Sequence, residues 1–193
     1  MILNTKNNDL YVLDSGNNRI LKYSIHNSSE ATVIVDNLNS PTAFVMDNNI
    51  NENLYIVVYN AVSNIYQIVL SSRNSPTAKN RVIKNGTNTK SFGIQLDFEL
   101  NIYISEWENH RVVKWLAPKY EKYMIVAGNG SSGSEQNQLN YPQGIYVDNN
   151  GSLFIADTKN NRIQKWLQNS TIGITVATSI QIPVYMNQSH QME

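Results

Sequence analysis

The chain has 193 residues, 15 basic and 15 acidic side chains, and no cysteine. The length fits a single domain, and a hydrophobic content of 41% is enough for a packed core, which excludes wholesale disorder. A formal net charge of zero argues against a protein built mainly to hold polyanions. Without cysteine there is no disulfide framework, thiol nucleophile or cysteine-ligated metal site.

No targeting or membrane-spanning segment is recognisable. The first residues, MILNTKNNDLYVLD, lack the apolar stretch of a secretory signal, and no run reaches the roughly 18 apolar residues that would cross a bilayer. Six N-glycosylation sequons begin at Asn27, Asn85, Asn129, Asn150, Asn169 and Asn187. In a chain this rich in Asn, Ser and Thr, that number is close to chance, so it is only a weak indication of an extracellular location. The compartment is otherwise unassigned.

Four segments of the chain are similar to one another. They are LYVLDSGNNRILKY from Leu10, LYIVVYNAVSNIYQI from Leu54, IYISEWENHRVVKW from Ile102 and LFIADTKNNRIQKW from Leu153, at spacings of 44, 48 and 51 residues. A shorter piece ending in aspartate precedes each of the last three, and a short run rich in β-branched residues follows each of the four. The chain therefore contains four repeats of about 48 residues.

Each repeat has the pattern of four short strands joined by turns. Runs rich in Val, Ile and Tyr alternate with Asn, Gly, Ser and Pro, and the second run is apolar at nearly every position, which indicates burial on both faces. Four-stranded units of this period, stacked face to face, are β-propeller blades. The prediction is an all-β fold with almost no helix. Its blades span about 1–38, 41–86, 91–130 and 141–179, and 180–193 form a tail or the start of a missing blade.

The repeated residues resemble those of NHL-repeat β-propellers. The pattern is Pro-x-Gly-Ile-x-x-Asp, an apolar strand ending in Asp, and Asn-x-Arg-Ile, and the fullest match runs from Tyr141 to Trp166. In the second repeat, Val58 and Asn64 stand where Asp and Arg are expected, so we expect this blade to be the least regular.

The resemblance implies a ring that usually has six blades. Four blades then form an open arc with exposed apolar end faces, and such faces drive association. The chain is therefore either a fragment of a longer propeller or a unit that self-associates with further copies.

Three acid–arginine pairs recur at the turn between strands two and three, and we call them the turn pairs. They are Asp14 with Arg19, Glu106 with Arg111, and Asp157 with Arg162, each five residues apart. A tight turn brings the two members together, and a guanidinium that bonds a carboxylate fixes the turn geometry. A catalytic group is needed once and a scaffold group in every blade, so the recurrence predicts a structural role.

Two further sets of residues recur, and we call each set, at one position of successive repeats, a column. Asp47, Asp97 and Asp148 end the first strand of their repeats, where aspartate favours turns. The alternative is a ring of carboxylates around a central cation, which would need six to eight converging oxygens; because the repeat already explains these residues, we predict no metal and no cofactor. Tyr23, Trp115 and Trp166 end strand three and are predicted to pack between blades.

Sequence signals for an enzyme are weak. Gly128 to Gly133 fits the G-x-G-x-x-G nucleotide motif, but Pro142 interrupts the segment where the required helix should follow, so we interpret it as a flexible inter-blade loop. There is no G-x-S-x-G or H-E-x-x-H motif. Some propeller lyases related to NHL repeats hold zinc with several histidines, whereas His26, His110 and His190 are scattered here. We predict that the chain is not an enzyme.

Partner binding is predicted at one end of the propeller, which we call the loop-bearing end. It carries the turns 15–18, 59–63, 107–110 and 158–161 and the loops before Pro41, Ser91 and Pro142. Loops on a rigid scaffold are common recognition sites. The candidate binding residues are Trp107, Glu108, Asn109, His110, Tyr59, Tyr141, Asn17 and Asn160. Trp107 is the strongest candidate, because a tryptophan in a polar turn is otherwise costly to expose.

Three functions remain open. A non-catalytic scaffold that binds a protein partner is favoured by the architecture. The second is an RNA-binding propeller with a basic stripe of Lys22, Lys114, Lys165, Arg19, Arg111 and Arg162. It is not favoured, because an acid offsets the stripe in each of these repeats and the net charge is zero. The third is a metal-dependent propeller hydrolase or lyase.

Overall fold

The computed structural model describes residues 1–24, 30–47, 52–72 and 80–178. Asn27, Asn187, His26, His190 and the predicted tail 180–193 lie outside these residues. The described chain forms four four-stranded antiparallel sheets, each made of four consecutive strands in chain order. The only helices in it are the 3-10 turns Ser15–Asn17 and Thr158–Asn160, and none is long and apolar enough to cross a membrane.

The strand bounds follow the four repeats. The first blade has β1 (Ile2–Asn4), β2 (Asp9–Asp14), β3 (Arg19–Ser24) and β4 (Thr32–Val35). The second has β5 (Pro41–Met46), β6 (Leu54–Asn60), β7 (Ile65–Ser71) and β8 (Arg81–Asn85). The third has β9 (Ser91–Leu96), β10 (Ile102–Glu106), β11 (Arg111–Trp115) and β12 (Tyr123–Ala127). The fourth has β13 (Pro142–Val147), β14 (Leu153–Asp157), β15 (Arg162–Trp166) and β16 (Gly173–Thr178).

Consecutive blades pack face to face through three apolar clusters. One joins blades one and two, the second joins blades two and three, and the third joins blades three and four. Within the described residues, no such cluster joins blade four to blade one. The predicted β-propeller architecture and its open, unclosed arc are confirmed.

The repeat determines which blade each strand residue faces. The second residue of each of the four similar segments lies on the side of the next blade, so Tyr11, Tyr55 and Tyr103 are at most 6% exposed. Phe154 occupies the same position in blade four and is only partly buried, because no described blade follows it. The two end faces of the arc therefore expose residues that are buried elsewhere in the repeat.

The aromatic column that ends strand three faces the preceding blade. Trp115 and Trp166 are buried there, within the apolar clusters. Tyr23 is 36% exposed, because no described blade precedes blade one, so the prediction that it packs between blades is wrong. Ser71 interrupts the column in blade two.

Blade two differs from the expectation of irregularity. Its strands β6 and β7 pair over seven residues without a register shift. Val58 lies opposite Gln67 and not opposite Asn64. Gln67 therefore occupies the position that arginine has in the other blades, and the assignment of this position to Asn64 is wrong. The hairpin extends two residue pairs beyond Val58, and this extension carries Tyr66 toward blade three.

Candidate functional site

Each turn pair forms a short ion pair across its β-turn. The distance from arginine Nε to carboxylate oxygen is 2.8 Å for Arg19–Asp14, 2.6 Å for Arg111–Glu106 and 2.7 Å for Arg162–Asp157. The asparagine two positions before each arginine donates its side-chain amide to the same carboxylate; these are Asn17, Asn109 and Asn160. These three predicted binding residues therefore use their amides in the turn pairs. Asn109 and Asn160 also donate to Thr87 Oγ1 and to the carbonyl oxygen of Gly133, respectively, in the inter-blade loops.

Arg162 also holds the loop between blades three and four. Its two terminal nitrogens donate to the carbonyl oxygens of Ser134, Glu135 and Gln138 at 2.7–3.2 Å. Leu139, which ends this stretch, is fully buried. The loop that contains the G-x-G-x-x-G sequence is thus tied to the scaffold, and no helix follows the glycines.

Glu106 is fully buried and accepts hydrogen bonds from two further side chains besides Arg111 and Asn109. Thr87 Oγ1 lies 2.6 Å from Glu106 Oε1, and the hydroxyl of Tyr66 lies 3.1 Å from the same oxygen. Burial and the Glu106 carboxylate raise the pKa of Tyr66 well above its usual value. A buried carboxylate that accepts a hydrogen bond from Tyr66 of blade two therefore connects blade two to blade three.

The aspartates that end the first strands close their own turns. The Oδ1 atoms of Asp47, Asp97 and Asp148 accept hydrogen bonds from the backbone N–H of Asn53, Asn101 and Ser152, respectively, at 2.8–3.0 Å. Within residues 1–24, 30–47, 52–72 and 80–178, no group of three or more His, Asp or Glu side chains is arranged to hold a metal ion.

Four rings from two blades meet at the loop-bearing end, and we call them the aromatic cluster. They belong to Phe92, Trp107, His110 and Tyr141. The ring centroids are 5.6 Å apart for Phe92–Trp107, 4.6 Å for Trp107–Tyr141 and 4.6 Å for His110–Tyr141. Phe92 is the second residue of β9, Trp107 and His110 lie in the β10–β11 turn, and Tyr141 directly precedes β13.

The exposure of these rings differs from the sequence-based expectation. Trp107 is half-buried between its neighbours, and its Nε1 atom is buried without a hydrogen-bond partner among the described groups. Phe92 is 37% exposed and was missed. Side chains alternate between the two faces of a strand, so Phe92 points away from the face of the buried Ser91 and Gly93. This alternation was the sequence signal that could have indicated its exposure.

His110 positions Tyr141 through a backbone contact. Its Nδ1 atom accepts a hydrogen bond from the backbone N–H of Tyr141 at 3.2 Å, so this nitrogen carries no proton. Asn18 makes the equivalent contact in blade one, accepting from the N–H of Ser40 at 3.1 Å. Burial lowers the pKa of His110 below its usual value, and the Asp157 carboxylate opposes this effect.

Charged groups lie beside the aromatic cluster. Lys90 Nζ is 5.4 Å from the ring centroid of Tyr59, and the backbone N–H of Lys90 donates to Glu108 Oε2 at 3.3 Å. The predicted binding residues Tyr59 and Glu108 thus both contact Lys90, the residue that directly precedes β9.

The basic stripe considered for RNA is largely neutralised within the chain. Its three arginines form the turn pairs, while Lys22 lies 3.0 Å from Asp9 and Lys114 lies 2.9 Å from Asp97. Lys165 lies over the ring of Phe154, with 5.1 Å between Nζ and the ring centroid. Paired cations give a polyanion little to bind.

Comparison with known sequences places an NHL repeat in blade four. Residues 139–166 match the family model described as NHL repeat. "Protein SUPPRESSOR OF QUENCHING 1, chloroplastic" from Arabidopsis thaliana is 35% identical over 68 residues, which cover 33% of this chain and 6% of that protein.

Comparison with solved structures identifies similar folds. A catalytically inactive virginiamycin B lyase from Staphylococcus aureus, solved with quinupristin, has a TM-score of 0.57 at 12% identity over 95% of this chain and 55% of its own. A streptogramin B lyase has a TM-score of 0.55 at 11% identity over 86% of this chain and 50% of its own. This chain thus spans about half of each lyase, and the likeness shows the fold alone.

Proposed function

We propose that this NHL-repeat β-propeller chain is a non-catalytic scaffold that binds a protein partner through its loop-bearing end. The observation that carries the proposal is the aromatic cluster, in which Phe92 is partly exposed on a base formed by Trp107 and Tyr141. None of its rings belongs to the three apolar clusters that hold the blades together. Aromatic side chains at rigid, partly exposed positions are typical anchors of protein interfaces.

Preorganisation of the loops supports the same function. His110 holds the backbone of Tyr141, and Arg162 holds the loop that precedes it. Loops that are already ordered lose little conformational entropy when a partner binds, so more of the contact energy appears as affinity. Lys90 and Glu108 add one charge of each sign beside the rings, and such rim charges favour selectivity among partners.

A lyase activity is the alternative, because two of the structurally similar proteins are lyases. The acids of the turn pairs do not favour it, since Glu106 and Asp157 are buried and bound by arginine. Incubation with quinupristin, followed by liquid chromatography, tests this alternative. A new product that requires the folded chain would contradict the non-catalytic proposal.

The binding proposal can be tested by affinity capture with a matched pair of variants. Phe92→Ala removes the exposed ring of the aromatic cluster, and Phe98→Ala removes a phenylalanine that is 88% exposed at the opposite end. By quantitative mass spectrometry, we expect a set of proteins that wild type and Phe98→Ala both retain and that Phe92→Ala loses. Thermal melts verify that both variants fold. Equal retention by all three chains would contradict the proposal.

A further inference from the structure

The end opposite the loop-bearing end contains a cavity of about 890 Å³, which we call the opposite-end groove. Its walls include Asp47, at the end of the first strand of blade two, and the turns 97–100 and 148–151 of blades three and four. Tyr103 and Lys114 also line it. The volume is in the range of clefts that hold several side chains of a ligand.

The lining of the groove carries an excess of negative charge. Asp47, Asp97, Glu99 and Asp148 contribute carboxylates, and Lys114 contributes the one ammonium group. That ammonium is already paired with Asp97 Oδ2 at 2.9 Å. The surplus of carboxylates therefore favours a cationic occupant over an anionic one.

Asp148 offers an oriented carboxylate oxygen. Its Oδ1 atom accepts the N–H groups of Asn150 and Ser152 at 3.0 and 2.8 Å, which fixes the side chain. Its Oδ2 atom accepts no hydrogen bond from any described residue, and the side chain is partly exposed. A fixed carboxylate with one oxygen toward solvent can accept a hydrogen bond from a lysine or arginine without rearrangement.

Exposed aromatic rings line the same groove. Phe98 is 88% exposed at the tip of its turn, and Tyr146 is 55% exposed. Rings attract cations through their faces, and the groove already shows this contact. Lys114 Nζ lies 5.1 Å from the ring centroid of Tyr103 while it pairs with Asp97.

We propose that the opposite-end groove binds a basic segment of another polypeptide, with lysine or arginine side chains held between the Asp148 carboxylate and the rings of Phe98 and Tyr146. This site is separate from the aromatic cluster, so it does not depend on the function proposed for the loop-bearing end. A chain with both sites contacts partners at both ends of the propeller.

Fluorescence anisotropy with a fluorescein-labelled peptide of alternating lysine and serine tests the proposal, with a glutamate–serine peptide as its counterpart. We expect saturable binding of the lysine peptide alone, weakening as salt is raised. Asp148→Asn keeps the Oδ1 acceptor but removes the charge, and Phe98→Ala removes an exposed ring. Each should weaken binding roughly two- to fivefold. Glu135→Gln and Phe92→Ala, at the loop-bearing end, should leave it unchanged.

Three results would overturn the proposal: no saturable binding of the lysine peptide, equal affinity for both peptides, or equal affinities of Asp148→Asn, Phe98→Ala and the two control variants. The two proposals fail separately. Partner capture at the loop-bearing end depends on Phe92 and not on Phe98, whereas peptide binding in the groove depends on Phe98 and not on Phe92.

Discussion

The hydroxyl of Tyr66, in blade two, donates a hydrogen bond over 3.1 Å to Glu106, the buried acid of the turn pair in blade three. Trp115 Nε1 donates in turn to the Tyr66 hydroxyl, also at 3.1 Å. Blade two has no turn pair of its own. Its extended β6–β7 hairpin instead contacts the turn pair of blade three. A bridge of this kind fixes the relative position of two blades as well as the shape of one turn.

Tyr66→Phe should destabilise the chain by about 1–3 kcal/mol, because it leaves the buried Glu106 with one donor fewer and Trp115 Nε1 without an acceptor. Urea unfolding measures the change in the free energy of unfolding. Tyr146→Phe, which removes an exposed hydroxyl, is the matched control and should have little effect. Equal stability of the two variants would show that the bridge contributes nothing.

A double-mutant cycle on Asp157→Ala and Arg162→Ala should show that the two losses are less than additive. Asp157 is fully buried and the Arg162 side chain is 12% exposed, so we expect a coupling of about 0.5–3 kcal/mol. The more exposed pair Asp14–Arg19 should couple more weakly, since solvent screens it. Additive losses at Asp157 and Arg162 would contradict a structural role for the pair.

Stability should depend on pH through His110. Its pKa in the folded chain lies below the ordinary value of 6.5, so as pH falls through 6.5 the unfolded chain takes up the proton first. The contribution of neutral His110 to the free energy of unfolding is therefore complete above pH 6.5 and is lost as the pH falls below it.

His110→Asn provides the comparison for this pH dependence. Asparagine is the residue at this position in blades one and four, it tolerates the left-handed backbone (φ 49° at His110), and its oxygen can accept the Tyr141 N–H. As pH is lowered, the free energy of unfolding of wild type should fall relative to that of the variant. A difference that is constant between about pH 5 and 8 would contradict this assignment.

Gly86→Ala should destabilise by about 1–3 kcal/mol, because a methyl group at this position would overlap the buried ring of Tyr66. Gly16 is the matched control, since a methyl group there meets no atom within 4 Å. Gly16→Ala should change the unfolding free energy by less than about 0.5 kcal/mol. Similar losses in both variants would show that the contact with Tyr66 is not the cause.

The exposed face of blade four should promote self-association of the isolated chain. Ile174 is 53% exposed. It lies on the same face of the sheet as Phe154, because Lys165 pairs with Phe154 on one side and with Ile174 on the other. In sedimentation velocity we expect a concentration-dependent species that Ile174→Lys shifts toward monomer. Val62→Lys, at the exposed tip of the blade-two hairpin, should have no such effect. A wild-type chain that is monomeric at every concentration would contradict the prediction.

The four blades could be predicted from the sequence alone, because each blade is a local unit whose strands follow one another along the chain. The spacing of the repeats and the apolar run from Leu153 were enough to predict the strand order, and the resemblance to NHL-repeat propellers, which usually have six blades, predicted the open arc. The acid and arginine of each turn pair are only five residues apart, so sequence separation also predicted that they could meet.

The side-chain contacts between blades, in contrast, depend on the tertiary fold. The contact of Tyr66 with Glu106 joins residues 40 positions apart. It depends on the β6–β7 register, in which Val58 pairs with Gln67 and not with Asn64 as the repeat pattern predicted. The aromatic cluster likewise joins Phe92 to Tyr141 through Trp107, and exposure along β9 depends on which neighbour covers each face. Such contacts arise from the packing of one blade on the next, and a repeat pattern within one chain segment does not encode their geometry.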